Sequence, residues 1–470
     1  VIILAGCTLV QAALPEEDIS RSILRLRREQ KTTPTPSVEK TDAVQKQTEK
    51  EGLQKPPQYN GVKAASPARP AVEGEGKCKL QPKSIIRRDS MLFVAGQYLN
   101  RLPKRPSQLR GLPKDLSGEV SYFTARFGSR DIPAIINSTK SFRDYISLSS
   151  TRQRHVLYLD TDGDNDLSDE KGLLGRQMQA SRFSGAAGYK FGPILIEFAG
   201  SESRPKTEVY ADTYSGRQLN FYPPTYLGGV IRLDRAAYDV AVIDGSFDGR
   251  YDKTLSIPIE NVRRPECDFF AIDLNGNHIF DGFSNYRLSD ISPLSRMIKI
   301  KDVYYSINVA DDGGFLELKK ITPQFGTLDL GGADVNTLLL SDAAHQYLAG
   351  DRRQWQLPVG KYTARLLELS RTDSTAGRWA IKGYRETGKL NNFEIHPGET
   401  LPIKIGPPLL VKTTAERQGN NIMIGVDLEG QAGEIYGAQI TRNSRPLPPP
   451  RFRLVDESGK VLASGEFKYG

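Results

Sequence analysis

From residue 119 onward, apolar and polar side chains alternate in short runs separated by Gly, Asn, Asp and Pro. The run Glu119 to Phe127 has this period of two, and the pattern predicts further strands over 132–136, 156–159, 194–198, 238–243, 269–272, 297–300, 303–309 and 315–319. Short strands at this spacing predict a mainly β protein, a multi-domain sandwich or barrel. One segment departs from the pattern. Over 333–348 the apolar Val335, Leu338, Leu339 and Leu340 predict a helix. Further alternation at 361–366, 392–395, 422–426 and 436–440, and on both sides of Glu457-Ser458-Gly459-Lys460, predicts two more β units, the last of them with a hairpin.

Composition agrees with strands. The 470 residues include 43 Gly, 29 Pro, 20 Tyr and 18 Phe but only 4 Met and 2 Trp, which excludes collagen, coiled coil and polytopic membrane protein. Ahead of the strands the pattern changes twice. Val1 to Val10 is an apolar run that reads as the remnant of an export signal over 1–12, cut before Ala13; alternatively Leu4-Ala5-Gly6-Cys7 resembles a bacterial lipobox, with Cys7 as a lipid anchor. Residues 13–85 then read as a disordered linker with one short amphipathic helix at 16–30, because Lys, Glu, Gln, Thr and Pro dominate and little apolar area is available to offset chain entropy. The expected organisation is completed by a central β domain at 86–325, a small sandwich at 326–405 and an Ig-like sandwich at 406–470, which stops short of a strand.

The net charge of +8 changes little, since 14 basic and 10 acidic residues between 14 and 83 supply half of it. No basic stripe interleaved with aromatics is present, so nucleic acid is excluded as a partner. No run approaches the ~18 apolar residues of a membrane helix, so no transmembrane helix is expected in the mature chain. Either N-terminal reading places the mature protein in the periplasm, on the cell surface or outside the cell. There Cys78 and Cys267 form either a disulfide or two buried thiols.

Three segments carry chemistry. Each is an apolar strand ending in Asp, followed by oxygen-bearing side chains at alternate positions. Calcium takes six to eight oxygens at ~2.3 to 2.6 Å, and a loop wrapped around it offers side chains at positions 1, 3, 5 and 9 and a carbonyl at 7. Those side chains are Asp160, Asp162, Asp164 and Ser168 in the first loop, Asp244, Ser246, Asp248 and Asp252 in the second, and Asp273, Asn275, Asn277 and Asp281 in the third. The carbonyls come from Asp166, Arg250 and Ile279, and Asp169 and Glu170 are further carboxylates at the first site. Position 6, which must turn sharply, holds Asn165, Gly249 and His278. The competing reading, plain Asx turns between strands, weighs most against the third loop.

These loops resemble those of EF-hands, dockerins and thrombospondin type-3 repeats, and the resemblance implies about three structural Ca2+ ions. Position 12 is Lys171, Leu255 or Ser284 rather than the EF-hand Glu, and no helix pairs flank the loops, which argues against a regulatory switch. The Pro-Gly turns before 361–366 and 399–403 resemble those of carboxypeptidase-regulatory-like β-sandwich modules.

No catalytic motif is present. His155, His278, His345 and His396 form no H-E-x-x-H pattern, and there is no G-x-S-x-G elbow. Tyr222 and Tyr226, around a Pro-Pro turn, are a candidate ligand surface. The leading expectation is an exported, calcium-binding, non-enzymatic β protein with polysaccharide or an envelope protein as partner. The alternative is a secreted glycan hydrolase carrying accessory sandwiches.

Overall fold

The computed structural model describes residues 2–5, 8–11, 75–84, 96–128, 130–139, 154–178, 188–196, 207–213, 216, 218–223, 225–259, 266–280, 290–418 and 421–467. The expected amphipathic helix, most of the linker, Cys7 and Asp281 lie outside them. Among the described residues the one helical element is a 3-10 turn, Gly388–Asn391, and no helix is long and apolar enough to cross a membrane. The other elements form several sheets, antiparallel but for the pairing of Phe325–Asp329 with Thr400–Pro402, and none of them is closed into a barrel.

Two sandwiches occupy the region expected as one central domain. In the first, the antiparallel sheet of Glu119–Phe127, Arg130–Ser138, His155–Leu159 and Leu173–Leu174 faces a five-stranded sheet that includes Tyr189–Ile196, Thr207–Thr213, Gln218–Tyr222 and Gln97–Asn100. Alternation decides the faces: Phe123, Ala125 and Phe127 point inward with Leu157, and meet Phe191, Val209 and Phe221 from across the gap. In the second, a sheet ordered Ile291–Pro293, Phe269–Ile272, Ala236–Ile243, Thr225–Leu233 and Gln81–Ser84 faces Met297–Ile300, Val303–Val309, Phe315–Ile321 and Lys77–Lys79. Its core includes Ile231, Val240, Val242, Phe270, Leu316 and Leu318.

Strands Lys77–Lys79 and Gln81–Ser84 fall inside the tract expected to be disordered. Their sequence is polar, but Cys78 and Leu80 alternate into the second core. Ser84 pairs with Thr225, so the whole first sandwich is an excursion from one ladder of the second.

Beyond residue 325, one long sheet runs through the position expected as a domain boundary near 405. Strand Arg378–Thr387 pairs with Glu434–Arg442, and Tyr436 shares a core with Leu328, Leu339 and Tyr362. The expected hairpin forms from Arg451–Val455 and Val461–Glu466. Ile2–Ala5 and Thr8–Gln11, inside the stretch read as an export signal, form a hairpin that pairs with Arg451–Val455.

The expected helix at 333–348 is instead a hairpin of Asp334–Ser341 and Gln346–Gly350. Leu338, Leu339 and Leu340 are all buried because the strand separates two cores: Leu339 faces Leu328 and Tyr362, while Leu338 and Leu340 face Leu255, Ile257 and Cys267. A strand covered on both sides loses its alternation and imitates a helical stripe. Of the two expectations for the cysteines, buried thiols are observed: Cys78 is in the core of the second sandwich and Cys267 is beside Leu338 and Leu340.

Candidate metal centres

Each of the three loops begins where a buried strand leaves its sheet, and its first Asp is buried: Asp160 is 1%, Asp244 5% and Asp273 3% exposed. A carboxylate drawn inside must find donors, and each finds them in the amides of its own loop. Asp160 accepts from the N–H of Gly163 (2.6 Å) and Asn165 (3.1 Å), Asp244 from Asp248 (3.2 Å) and Gly249 (2.9 Å), and Asp273 from Gly276 and His278 (both 2.7 Å). The loops must coil tightly for this. Positions 4 and 6 are left-handed in all three: Gly163 and Asn165 at φ 82 and 64°, Phe247 and Gly249 at 55 and 75°, Gly276 and His278 at 74 and 61°. The position 5 side chain then accepts from the position 7 amide, Asp164 from Asp166 (2.7 Å), Asp248 from Arg250 (2.9 Å) and Asn277 from Ile279 (2.8 Å). Three loops of different sequence therefore share one backbone and one cap.

In the first loop Asp160, Asp162 and Asp164 bring carboxylate oxygens within 4.8 Å of one another, a group that could chelate an ion. Glu170 folds back to accept from the Thr161 amide (2.5 Å) and hydroxyl (3.0 Å). Burial raises the Asp160 pKa, and Asp162 adds to the rise; burial also raises Glu170, helped by Asp162 and Asp160. The Ser168 hydroxyl donates to Asp166 at 2.6 Å, and Ser168 and Asp169 are both exposed. The segment carrying Arg110 and Gly111 clasps the loop through Arg110 N–H to the Asn165 carbonyl (2.8 Å), and Leu167 packs with Leu109.

The second loop joins the two sandwiches. Gly128, at the tip of the 119–138 hairpin, donates its N–H to the Ser246 carbonyl (3.0 Å), and a Cβ on Gly128 would come within 2.9 Å of the Asp248 Cβ. Phe247 enters the first core edge-on to Phe127, ring centroids 5.5 Å apart. Asp252, expected as a ligand, is instead held by a two-pronged pair with Arg250 (2.9 and 2.7 Å). Its place beside Asp244 is taken by Asp268, which is fully buried and accepts from the amides of Lys253 (2.8 Å) and Ser246 (3.4 Å). Burial pushes Asp244 up to about 7, with Asp248 adding repulsion; burial and the Asp244 charge together hold Asp268 well above the carboxylate range. The Ser246 hydroxyl lies 3.4 Å from Asp244.

The third loop gathers a different set. Asp239, Asp273 and His278 place their ligand atoms within 4.8 Å of one another, with His278 Nδ1 2.6 Å from an Asp239 oxygen. Asn275 caps the Asn277 amide (2.9 Å). Of the two expected surface tyrosines, Tyr226 is buried edge-on to Phe280, while Tyr222 stacks on Tyr210 with the Lys190 ammonium 3.9 Å from the Tyr210 ring. Of the histidines outside the loops, His396 is exposed and two are tied into the fold. His155 Nδ1 is 2.7 Å from the Ser138 hydroxyl, and His345 bridges the Ser341 amide and the Pro293 carbonyl.

Asp239 and Asp268 carry no loop spacing and escaped it, yet a signal was present. Both Asp239-Val240-Ala241-Val242-Ile243-Asp244 and Asp268-Phe269-Phe270-Ala271-Ile272-Asp273 are four apolar residues bracketed by Asp. The strands pair antiparallel with Val240 opposite Ile272 and Ile243 opposite Phe269, so one step beyond the ladder sets Asp239 by Asp273 at one end and Asp244 by Asp268 at the other. No protein-family model matches the chain, and no curated protein or solved structure is significantly similar to it.

Proposed function

We propose that this chain is an exported, calcium-stabilised β protein whose role is binding rather than catalysis, with calcium seated at the first and second loops. The observation that carries the reading is the Asp244–Asp268 pair. Two buried carboxylates, with Asp248 beside them, gather negative charge that the chain's own amides only partly offset. A hard divalent cation would supply the missing charge, with Asp244, Asp248, Asp268 and Ser246 as its oxygen donors. At the first loop Asp160, Asp162, Asp164 and Glu170 offer the same chemistry. Because the second loop bridges two cores, an ion there also fastens one sandwich to the other. Export rests on the apolar run at 1–10 and the polar tract behind it, and the partner class remains polysaccharide or envelope protein.

Thermal unfolding of the purified chain in excess EDTA and in 10 mM CaCl2 tests this. At the roughly 0.1 to 1 mM dissociation constants of extracellular calcium modules, 10 mM calcium contributes about 1.4 to 2.7 kcal/mol per site. Superimposable melts would reject calcium stabilisation.

A further inference from the structure

The third loop differs from the other two in the one feature that selects a metal, the donor atoms. Position 6 carries Asn165 in the first loop and Gly249 in the second, neither of which brings a nitrogen ligand. In the third it carries His278, whose left-handed backbone turns the imidazole toward Asp239 on the neighbouring strand. Asn275 and Asn277, which would be calcium ligands at positions 3 and 5, have side-chain oxygens accepting the amides of Asn277 and Ile279.

We infer that Asp239, Asp273 and His278 form a site for a first-row transition ion of the zinc class, distinct from the calcium loops. Calcium takes oxygen donors, whereas imidazole with carboxylates suits zinc and its neighbours. One imidazole nitrogen and two carboxylate oxygens within 4.8 Å of one another can close on an ion at the ~2.0 to 2.2 Å of Zn–N and Zn–O bonds, leaving further positions for water. The elements holding them suit the task. Asp239 is on strand Ala236–Ile243, and its carbonyl takes the Asp273 amide (2.9 Å), which fixes the two backbones side by side. Asp273 is buried and capped, so its carboxylate is oriented, while the His278 side chain is 72% exposed, leaving the site open to ions from solvent. On binding, the ion takes the Nδ1 lone pair of a neutral imidazole whose proton is on Nε2, and the contact between Nδ1 and Asp239 gives way to two bonds to the metal. The assignment is independent of calcium at the first two loops.

The test uses the full chain, stripped with chelator and titrated with Co2+ as a spectroscopic probe and with Zn2+ in competition. Expected are one equivalent of Co2+ with visible d–d absorption, displacement by Zn2+ and not by 10 mM calcium, and at least a tenfold loss of affinity in both His278→Asn and Asp239→Asn. Asn tolerates the left-handed backbone at 278, so that variant keeps the loop; Asp239→Asn changes a strand position and checks the result independently. The calcium-dependent melting shift should be the same in both variants as in the parent, which separates this site from the calcium reading. Absent Co2+ binding, displacement by calcium, or affinity that survives both substitutions overturns the inference.

Discussion

Two places in this molecule bury carboxylates, and they do so in opposite ways. In the C-terminal half Glu434 is fully buried, and it is complete: one oxygen accepts from the Gly406 amide (2.6 Å) and the Tyr436 hydroxyl (3.0 Å), the other from the Ala432 amide (2.8 Å). One negative charge meets three short donors, and it ties the 432–436 segment to the chain at Gly406. Between the sandwiches, Asp244 and Asp268 are buried near enough for each to feel the other's charge and that of Asp248, and the amides reaching them range from 2.8 to 3.4 Å. Here charge exceeds donors. Burial of a charge is thus structural where the chain supplies the compensation, and invites a cation or a proton where it does not.

The contrast breaks first at Glu434. In Glu434→Gln the amide NH2 would take the place of one oxygen and face either the Gly406 or the Ala432 N–H, leaving buried groups unpaired, and the loss should be about 3 kcal/mol. Urea unfolding should give the same loss in EDTA and in calcium. A loss that grows with calcium would show that the two regions are not energetically separate.

A somewhat broader effect is expected from pH. Asp244 is raised to about 7 in the folded chain against an ordinary value near 3.8, so between these values the folded state holds a proton that the unfolded state has released. Stability in EDTA therefore falls as pH rises from about 4 to 7, by up to roughly 4 kcal/mol for this group. His155 and His345, both lowered to about 4 by burial, act the other way, their contribution being lost as pH falls from about 6.5 to 4. The diagnostic quantity is accordingly the difference between parent and Asp244→Asn, which should narrow as pH rises in EDTA. A difference independent of pH would mean that Asp244 is not the group under charge stress. Asp268→Asn sharpens the point. It relieves charge but sets an NH2 group against the Ser246 or Lys253 amide, so the calcium-free chain should lose less than in Glu434→Gln, while the second loop's share of the calcium effect, about 1.4 to 2.7 kcal/mol at 10 mM, is removed.

Where the sequence was legible, one physical rule governed the residues. Alternation found the strand around Phe123 because it has one buried face, and the spacing of Asp160, Asp244 and Asp273 found loops that share a backbone. It failed where two rules overlapped. Leu338 to Leu340 lie between two cores, so neither face is polar and the period of two is erased. Cys78 and Leu80 hid in a polar tract because an edge strand needs only two inward residues. Asp252 occupies a ligand position by count, but it pairs with Arg250 two residues earlier, a counter-charge that the chain itself supplies. Asp239 and Asp268 could be recognised only once strand register was known.

The smallest effect asks whether the loops are built before an ion arrives. Gly433, beside Glu434, and Asn165, in the first loop, are both left-handed, at φ 80 and 64°. Alanine at either position costs about 1 kcal/mol in backbone strain. At Gly433 that cost falls on global stability alone. At Asn165 its destination depends on the loop. The Asp160 cap closes on Gly163 and Asn165 through the chain's own amides, so the conformation is already bought in the fold, and Asn165→Ala should lower stability in EDTA and in calcium alike. Calcium affinity by calorimetry should then stay within about twofold of the parent. Were the loop instead to coil only around the ion, the same 1 kcal/mol would appear as roughly fivefold weaker binding with no change in EDTA. That result would make the cap a consequence of the metal rather than its preformed seat.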